Sequence, residues 1–127
     1  MGDLLLVYGT LMRGFPLHRL LATGARFVGA GTVGGRLFDL GAYPAAVPDP
    51  AGTVHGEVYR VEEPSLWPAL DSVEGPQYHR GEARVAVSGA GAAAAFVYWY
   101  VGPLSGAVPI PGGDYRAHPP ARSVHRL

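Results

Sequence analysis

Two long predicted strands near the end of the chain constrain its fold more than any other feature. Residues 80–87 and 92–101 are rich in valine, alanine and aromatic side chains, and the segment Ser88-Gly89-Ala90-Gly91 joins them. So short a link containing glycine is typical of a β-hairpin. Strands joined in this way pair antiparallel, because a parallel pair needs a long crossover connection. The chain therefore builds part of its sheet from antiparallel neighbours.

The other predicted strands are short and closely spaced, and only two helical stretches interrupt them. The strands are Leu4–Val7 and residues 26–31, 32–40, 45–47 and 53–61, and the helices are residues 16–22 and a segment that opens at Glu62. This order predicts an α+β domain with a largely antiparallel or mixed sheet, for which closure into a small barrel is one arrangement. It does not predict a doubly wound fold. Residues 103–127 are dominated by glycine, proline and charged side chains, so we expect irregular structure there.

Composition limits the partners of this domain. The 127 residues hold ten basic and ten acidic side chains, so no net field favours nucleic acid or an anionic membrane surface. The absence of cysteine excludes disulfides and thiolate nucleophiles. No basic segment precedes the first apolar run, and no apolar run reaches the ~20 residues of a membrane helix. We therefore expect a cytoplasmic protein that binds neither nucleic acid nor membrane.

Cofactor motifs are also missing from the sequence. No Gly-x-Gly-x-x-Gly segment follows a predicted strand, and no phosphate-binding Gly-Lys-Ser/Thr segment occurs. The histidines do not have the close spacing of metal ligands; they are His18, His55, His79, His118 and His125. We expect neither a metal nor another cofactor.

The first strand ends abruptly at Tyr8-Gly9-Thr10-Leu11. A glycine at the end of a buried strand lets the chain turn and leaves neighbouring N–H groups uncovered by a side chain. N–H groups that point one way in a tight loop form an anion-binding nest. The alternative is an ordinary turn after a core strand, and spacing alone favours that alternative.

A single carboxylate, that of Glu74, stands at the predicted end of the second helix. Leu66, Leu70 and Val73 are spaced to share the apolar face of this helix, and Pro68 falls early in it. A carboxylate at a helix C-terminus faces the negative end of the helix dipole, and an apolar site would raise its pKa further. Glu74 is thus a candidate general base; the alternative is a solvated surface charge.

Polar and aromatic residues surround this glutamate in the sequence. Asp71 is predicted to bond the backbone or Arg80. Tyr78 and Arg80 are candidates for orienting a substrate, or for holding the neighbourhood of Glu74 through a guanidinium–carboxylate pair. The aromatic run at residues 98–100 is predicted to pack in the core rather than to stack on bases.

Several segments, in this order, resemble the γ-glutamylcyclotransferase superfamily and specifically its AIG2-like group. They are Tyr8-Gly9-Thr10-Leu11 with Arg13-Gly14; Phe27-Val28-Gly29; Gly35-Arg36-Leu37-Phe38-Asp39-Leu40-Gly41 with Tyr43-Pro44-Ala45; Val54-His55-Gly56-Glu57-Val58-Tyr59; Leu70-Asp71 with Glu74-Gly75; and Tyr78-His79-Arg80. Near the end, Gly112-Gly113-Asp114-Tyr115 is similar to the family's Ser-Gly-Asp-Trp. The resemblance implies a family domain over residues 1–115 and an irregular tail over residues 116–127.

The resemblance also implies a fold and a site. The fold would be a small mixed β-barrel flanked by helices, with one cavity at the Tyr-Gly-Thr-Leu loop. The main-chain N–H groups of Gly9, Thr10 and Leu11 would hold the substrate carboxylate, and Glu74 would act as the acid and base. Further pocket-lining residues would be Tyr8, Tyr43 and Tyr78.

The implied reaction converts a γ-glutamyl amide into 5-oxoproline and a free amine without a cofactor. The residues Thr10-Leu11 are similar to the branch that acts on γ-glutamylamines, whereas the branch for γ-glutamyl amino acids tends toward Tyr-Gly-Ser-Asn. Two alternatives remain open: a non-catalytic binding module for a small acidic metabolite, and removal of a γ-glutamyl protecting group from a biosynthetic intermediate. The expected partner is a small γ-glutamyl molecule, and the protein is expected to be a monomer or homodimer.

Overall fold

The computed structural model describes residues 3–118. Within that range, the helices and strands follow the chain as β1 Leu4–Val7, α1 His18–Ala22, β2 Ala25–Val33, β3 Gly35–Asp39, β4 Pro44–Pro48, β5 Val54–Val61, α2 Leu66–Glu74, β6 Tyr78–Val87, β7 Gly91–Tyr100 and β8 Val108–Ile110. The predicted tail at residues 116–127 falls mostly outside the described residues, so its irregular structure stays a prediction.

Five strands close into a barrel in the order β1-β5-β2-β6-β7. The predicted hairpin is confirmed as β6 and β7, which pair antiparallel from Tyr78 opposite Tyr100 to Val87 opposite Gly91. The barrel closes through β1 and β7, which pair parallel, with Leu5 opposite Phe96. Because the other neighbouring strands pair antiparallel, the sheet is mixed and largely antiparallel, as the sequence predicts.

A smaller antiparallel sheet with the order β4-β3-β8 stands beside the barrel. Two predictions are corrected here. The boundary between the second and third strands lies at Gly34, not after Gly31, because Thr32 and Val33 continue the pairing of β2 with β5. The segment predicted to be irregular contains β8, which is held by non-local pairing such as Leu37 opposite Ile110.

The two faces of β1 serve two different clusters of buried side chains. Leu6 is fully buried in a cluster that includes Val58 and Val97. Leu5 is fully buried in a second cluster, together with Leu21 of α1 and Leu70 of α2. Since successive side chains of a strand point to opposite faces, β1 contributes to both clusters. The strand ends at Val7, directly before the loop that begins at residue 8.

Helix α2 begins at Leu66, later than the predicted opening at Glu62. Its buried residues are Leu66 and Leu70, whereas Val73, predicted on the same face, is 44% exposed. The position four residues beyond Leu70 is Glu74, which therefore continues the inward-facing row at the last turn of the helix. With nine residues, α2 is the longest helix within residues 3–118, and none there is long enough to span a membrane.

Candidate active site

A cavity of about 250 Å³ opens where five parts of the chain meet. They are the end of β1 with its following loop, the start of β4, the end of α2, the start of β6 and the end of β7. The lining residues are Leu6, Val7, Tyr8, Gly9, Thr10, Leu11, Pro16, Leu17, Tyr43, Pro44, Val73, Glu74, Tyr78 and Tyr98. The two segments that the sequence singles out, the loop at residues 8–11 and the end of α2, thus border one cavity.

The loop after β1 uses its carbonyl groups to hold its own shape. The N–H of Met12 donates to the carbonyl of Gly9 at 3.0 Å, and the N–H of Leu17 donates to the carbonyl of Thr10 at 3.1 Å. The carbonyl of Leu11 lies 3.0 Å from Nδ1 of His18. By contrast, within residues 3–118 the N–H groups of Gly9, Thr10 and Leu11 have no acceptor. Three unpaired donors beside a cavity suit an anion.

Glu74 is the one acidic residue among those that line the cavity. Its side chain is partly buried, and burial raises the pKa of its carboxyl group from 4.5 to about 7. Within residues 3–118 no hydrogen bond or ion pair holds this carboxylate. A carboxyl group with a pKa near neutrality and no fixed partner can both accept and return a proton at physiological pH.

Tyr8 links the cavity wall to the core. Its buried hydroxyl donates to the carbonyl of Tyr98 at 2.6 Å and accepts from the N–H of Ala46 at 3.3 Å. Burial raises the pKa of Tyr8 well above its ordinary value, and the nearby Glu74 and Tyr78 act in the same direction. Tyr8 is therefore a neutral structural link between β7 and β4, and its hydroxyl proton is committed to a carbonyl.

Tyr78 and Tyr43 form an aromatic wall on another side of the cavity. The hydroxyl of Tyr78 donates to the carbonyl of Pro44 at 2.8 Å. Its ring meets the ring of Tyr43 edge to face at a centroid distance of 6.3 Å and that of Tyr100 at 5.3 Å. Burial first, and the charge of Glu74 second, raise the pKa of Tyr78. Tyr43 and Tyr78 thus line the cavity, as Tyr8 does.

Arg80 is the one sequence-derived site residue that does not line this cavity. Its guanidinium donates to both carboxylate oxygens of Asp71, at 3.0 and 3.1 Å, and lies 4.4 Å from the ring centroid of Trp67. Asp71 also accepts from the hydroxyl of Tyr98 at 2.6 Å. The predicted pairing of Asp71 with Arg80 is confirmed, and this pair supports Tyr98 behind the cavity rather than meeting a ligand in it.

Several lining residues escape sequence reasoning. The sequence predicts only core packing for Tyr98, which is buried and also lines the cavity. Pro16, Leu17 and Val73 reach the cavity only because the loop after β1 folds back toward the end of α2. Their positions carry no chemical signature in the sequence, since each is an ordinary apolar residue. The one sequence signal for this region is the spacing of four residues between Leu70 and Glu74, which predicts that Glu74 lies on the buried face at the end of α2.

A second polar cluster, centred on Glu57, secures the far side of the same loop. Glu57 is 6% exposed and accepts from the main-chain N–H of Arg13, from the hydroxyl of Tyr59 and from the guanidinium of Arg116 at 2.9–3.0 Å. Burial would raise the pKa of Glu57, but these hydrogen bonds and the two arginine charges hold it below its ordinary value. Arg116 also donates to the carbonyl of Arg13 at 2.7 Å. The carboxylate of Glu57 is thus paired with both arginines of this cluster.

Within residues 3–118 no group of three or more histidine, aspartate or glutamate side chains is arranged to hold a metal ion.

Comparison with known proteins agrees with this architecture. Residues 5–117 match the family described as gamma-glutamyl cyclotransferase, AIG2-like. The gamma-glutamylcyclotransferase family protein YtfP of Escherichia coli K12 is 38% identical over 82 residues, which are 63% of this chain and 66% of YtfP. The chain thus matches just under two thirds of the length of that relative.

Solved structures share the fold. An AIG2-like protein from Mus musculus superimposes with a TM-score of 0.75 at 27% identity, over 92% of this chain and 90% of the mouse protein. YkqA from Bacillus subtilis superimposes with a TM-score of 0.78 at 29% identity, over 93% of this chain and 41% of YkqA. The family match over most of the chain and the shared barrel lead to one conclusion: this chain belongs to the gamma-glutamyl cyclotransferase, AIG2-like family.

Proposed function

We propose that the protein cyclises a γ-glutamyl amide to 5-oxoproline and releases the attached amine, with Glu74 as the general acid and base. The observation that carries this proposal is the shared cavity, which has three unpaired main-chain N–H donors at Gly9, Thr10 and Leu11 and the carboxyl group of Glu74. A γ-glutamyl amide offers each of these groups a partner: an α-carboxylate for the donors and an α-ammonium for Glu74.

The loop contributes by positioning the substrate. In a γ-glutamyl amide the nucleophile is the substrate's own α-amino group, so the reaction needs a folded conformation rather than a second reactant. Binding the α-carboxylate at the N–H groups of the loop fixes the end of the chain that must turn back toward the γ-carbonyl carbon. Correct placement of an internal nucleophile can lower the activation free energy by up to about 7–11 kcal/mol.

Glu74 contributes by moving protons. An α-ammonium has no lone pair, so it must lose a proton before its nitrogen can attack the γ-carbonyl carbon. The new N–C bond then forms the five-membered ring, and the bond from that carbon to the amide nitrogen breaks. Glu74 relays the protons lost by the α-nitrogen to the departing nitrogen, so that the amine leaves protonated and the ring keeps one N–H. Such proton transfer accounts for about 10²–10⁴-fold in rate.

Two features of the cavity suit this role of Glu74. Burial brings the pKa of Glu74 to about 7, so its carboxylate and carboxylic acid forms are both populated near neutral pH. The hydroxyl protons of Tyr8 and Tyr78 are held by main-chain carbonyls and that of Tyr98 by Asp71. Glu74 is the one carboxyl group that lines the cavity, which favours it as the proton carrier.

The proposed function is tested by incubating the purified protein with γ-glutamyl amines, γ-glutamyl dipeptides and glutathione while mass spectrometry follows the ring product. We expect 5-oxoproline and free amine to appear in equal amounts from at least one substrate. Binding of these compounds without any turnover would contradict the proposal and favour a non-catalytic binding module.

A further inference from the structure

Arg116 and Glu57 together hold both main-chain groups of Arg13. One guanidinium nitrogen of Arg116, Nη2, donates to the carbonyl of Arg13 at 2.7 Å and to Oε2 of Glu57 at 2.9 Å. Oε1 of Glu57 accepts in turn from the main-chain N–H of Arg13 at 3.0 Å. Hydrogen bonds to ionised groups are about twice as strong as those between neutral groups. The main chain of residue 13 is therefore clamped between Arg116 and Glu57.

The clamped residue lies within the loop that carries the unpaired N–H groups. The carbonyl of Gly9 is held by the N–H of Met12 at 3.0 Å, and the carbonyl of Thr10 by the N–H of Leu17 at 3.1 Å. Because a trans peptide is planar, its N–H points opposite to its carbonyl. Fixing these two carbonyls therefore fixes the directions of the N–H groups of Thr10 and Leu11. Both directions depend on where Met12 and Leu17 lie, on either side of the clamped residue.

The segment that carries Arg116 is itself fixed to the barrel and to the loop. The carbonyl of Gly113 accepts from the N–H of His55 in β5 at 2.8 Å. The ring of Tyr115 lies against the ring of Phe15, with a centroid distance of 5.5 Å, and the guanidinium of Arg116 lies 5.2 Å from the centroid of the Phe15 ring. Arg116 thus connects a fixed segment after β8 with the loop after β1.

Two further observations single out Arg116. The side chain of Arg13 makes a longer contact with Glu57: its Nε lies 3.4 Å from Oε2, and its guanidinium lies 4.1 Å from the centroid of the Phe27 ring. Arg116 is also not among the residues that line the cavity. Any effect of Arg116 on a bound substrate must therefore pass through the main chain of the loop.

Resting on the proposed function, we propose that Arg116 is a positioning residue for the α-carboxylate of the substrate. It acts through the main chain of Arg13 and keeps the N–H groups of Thr10 and Leu11 in the direction that binds the carboxylate. Proton transfer by Glu74 does not depend on this contact, so Arg116 should affect KM rather than kcat.

The direct test is Arg116→Met, which keeps an unbranched side chain but removes its donors. With γ-glutamyl benzylamide as the substrate, we expect KM to rise by about tenfold and kcat to change by less than about twofold. A partly unfolded variant would instead show a lower kcat at an unchanged KM. The matched control is Arg26→Met, at an exposed arginine that pairs with Glu62 at 3.0 Å, and its KM should stay at the wild-type value. An unchanged KM in folded Arg116→Met would overturn the inference.

A second substrate tests whether the effect concerns the carboxylate. The compound 4-aminobutanoyl benzylamide lacks only the α-carboxylate and cyclises in the same way, to 2-pyrrolidinone and benzylamine. We expect Arg116→Met to lower kcat/KM for γ-glutamyl benzylamide by about tenfold and to leave that of the carboxylate-free compound within about twofold of wild type. Equal losses for the two substrates would mean that Arg116 does not act on carboxylate binding.

Binding of the ring product separates the two proposals. No ring product from γ-glutamyl benzylamide or any other γ-glutamyl compound would contradict the proposed function, and calorimetry with 5-oxoproline would still test Arg116. We expect the Kd of 5-oxoproline to be about tenfold higher in Arg116→Met than in the wild-type protein. An unchanged Kd, or no binding to the wild-type protein, would overturn the inference. If Arg116→Met does not fold, Arg116→Lys, whose side chain is one atom shorter than arginine, takes its place with a change in the same direction.

Discussion

Gly9 and Pro44 approach so closely that a β-carbon added to Gly9 would lie 2.5 Å from Cγ of Pro44. The loop after β1 and the start of β4 thus lie close together in the wall of the cavity, next to the proposed carboxylate site at residues 9–11. Gly9→Ala should push Pro44 and the loop apart, since a well-packed site cannot absorb the extra carbon. We expect kcat/KM to fall by about 10–100-fold, mainly through a higher KM, as steady-state kinetics would measure.

Gly112→Ala is the matched control for this change. A β-carbon at Gly112 meets no atom within 4 Å, and its backbone does not have a positive φ angle. The control should retain wild-type KM. A wild-type KM in Gly9→Ala as well would argue against carboxylate binding at this loop.

The hydroxyl of Tyr8 should matter mainly for stability. Tyr8→Phe leaves the carbonyl of Tyr98 without its donor and the N–H of Ala46 without its acceptor, both in the interior. We expect the free energy of unfolding to fall by about 1–3 kcal/mol in urea denaturation. Tyr43→Phe serves as the stability control, because its side chain is 45% exposed. Equal loss in the two variants would contradict the role assigned to the Tyr8 hydroxyl.

Glu57 should stabilise the fold by binding two arginines. Its pKa is held below the ordinary value, so its contribution is present above about pH 4.5 and is lost as the pH falls through its folded pKa. We expect Glu57→Gln to lower the free energy of unfolding at pH 7 by about 1–3 kcal/mol, and the difference from wild type to shrink in acid. Chemical denaturation over a pH series measures both.

Glu62→Gln is the control for the Glu57 prediction. Glu62 also pairs with an arginine, Arg26, at 3.0 Å, but both side chains are at least half exposed. Exposed pairs contribute little, so we expect a change within about 0.5 kcal/mol. If both variants lost the same stability, burial of Glu57 would not explain its effect.

Ionisation of Glu74 should destabilise the fold, whereas ionisation of Glu57 should stabilise it. Its folded pKa of about 7 lies above the ordinary 4.5, so the unfolded chain ionises first and stability falls as the pH rises from 4.5 to 7. Glu74→Gln removes this cost, and we expect it to be more stable than wild type at pH 8 by up to about 3 kcal/mol. At pH 4 the two proteins should match. Thermal unfolding at both pH values measures the difference, and a less stable variant at pH 8 would contradict it.

Most of the barrel follows from local patterns in the sequence. The hairpin of β6 and β7 and the strand β5 are predicted within two residues of their observed bounds, because alternating apolar residues and glycine-rich turns act locally. The strand β8 could not be predicted in this way. It has three residues, including Pro109, and exists because β3 offers it a partner.

The same distinction between local sequence patterns and long-range packing applies to the site. Glu74 and the loop at residues 8–11 carry chemical signatures and are brought to one cavity, whereas the apolar lining at Pro16, Leu17 and Val73 depends on how distant segments meet. Val73 illustrates the difference. A helix period places both Val73 and Glu74 near the face of Leu70, and only packing against the rest of the fold decides which of them turns inward. Arg80 is the reverse case, a charged residue with a plausible site role that pairs with Asp71 instead.

The central claim is that Glu74 transfers the protons of the cyclisation, and the rate of 5-oxoproline release by Glu74→Gln tests it most directly. Glutamine keeps the shape of the side chain but has no acidic proton and no basic oxygen. The control is Glu82→Gln, at an exposed position of β6 outside the cavity. We predict that kcat falls by about 10²–10⁴-fold in folded Glu74→Gln and is unchanged in the control. Release of 5-oxoproline at the wild-type rate by Glu74→Gln would contradict the claim.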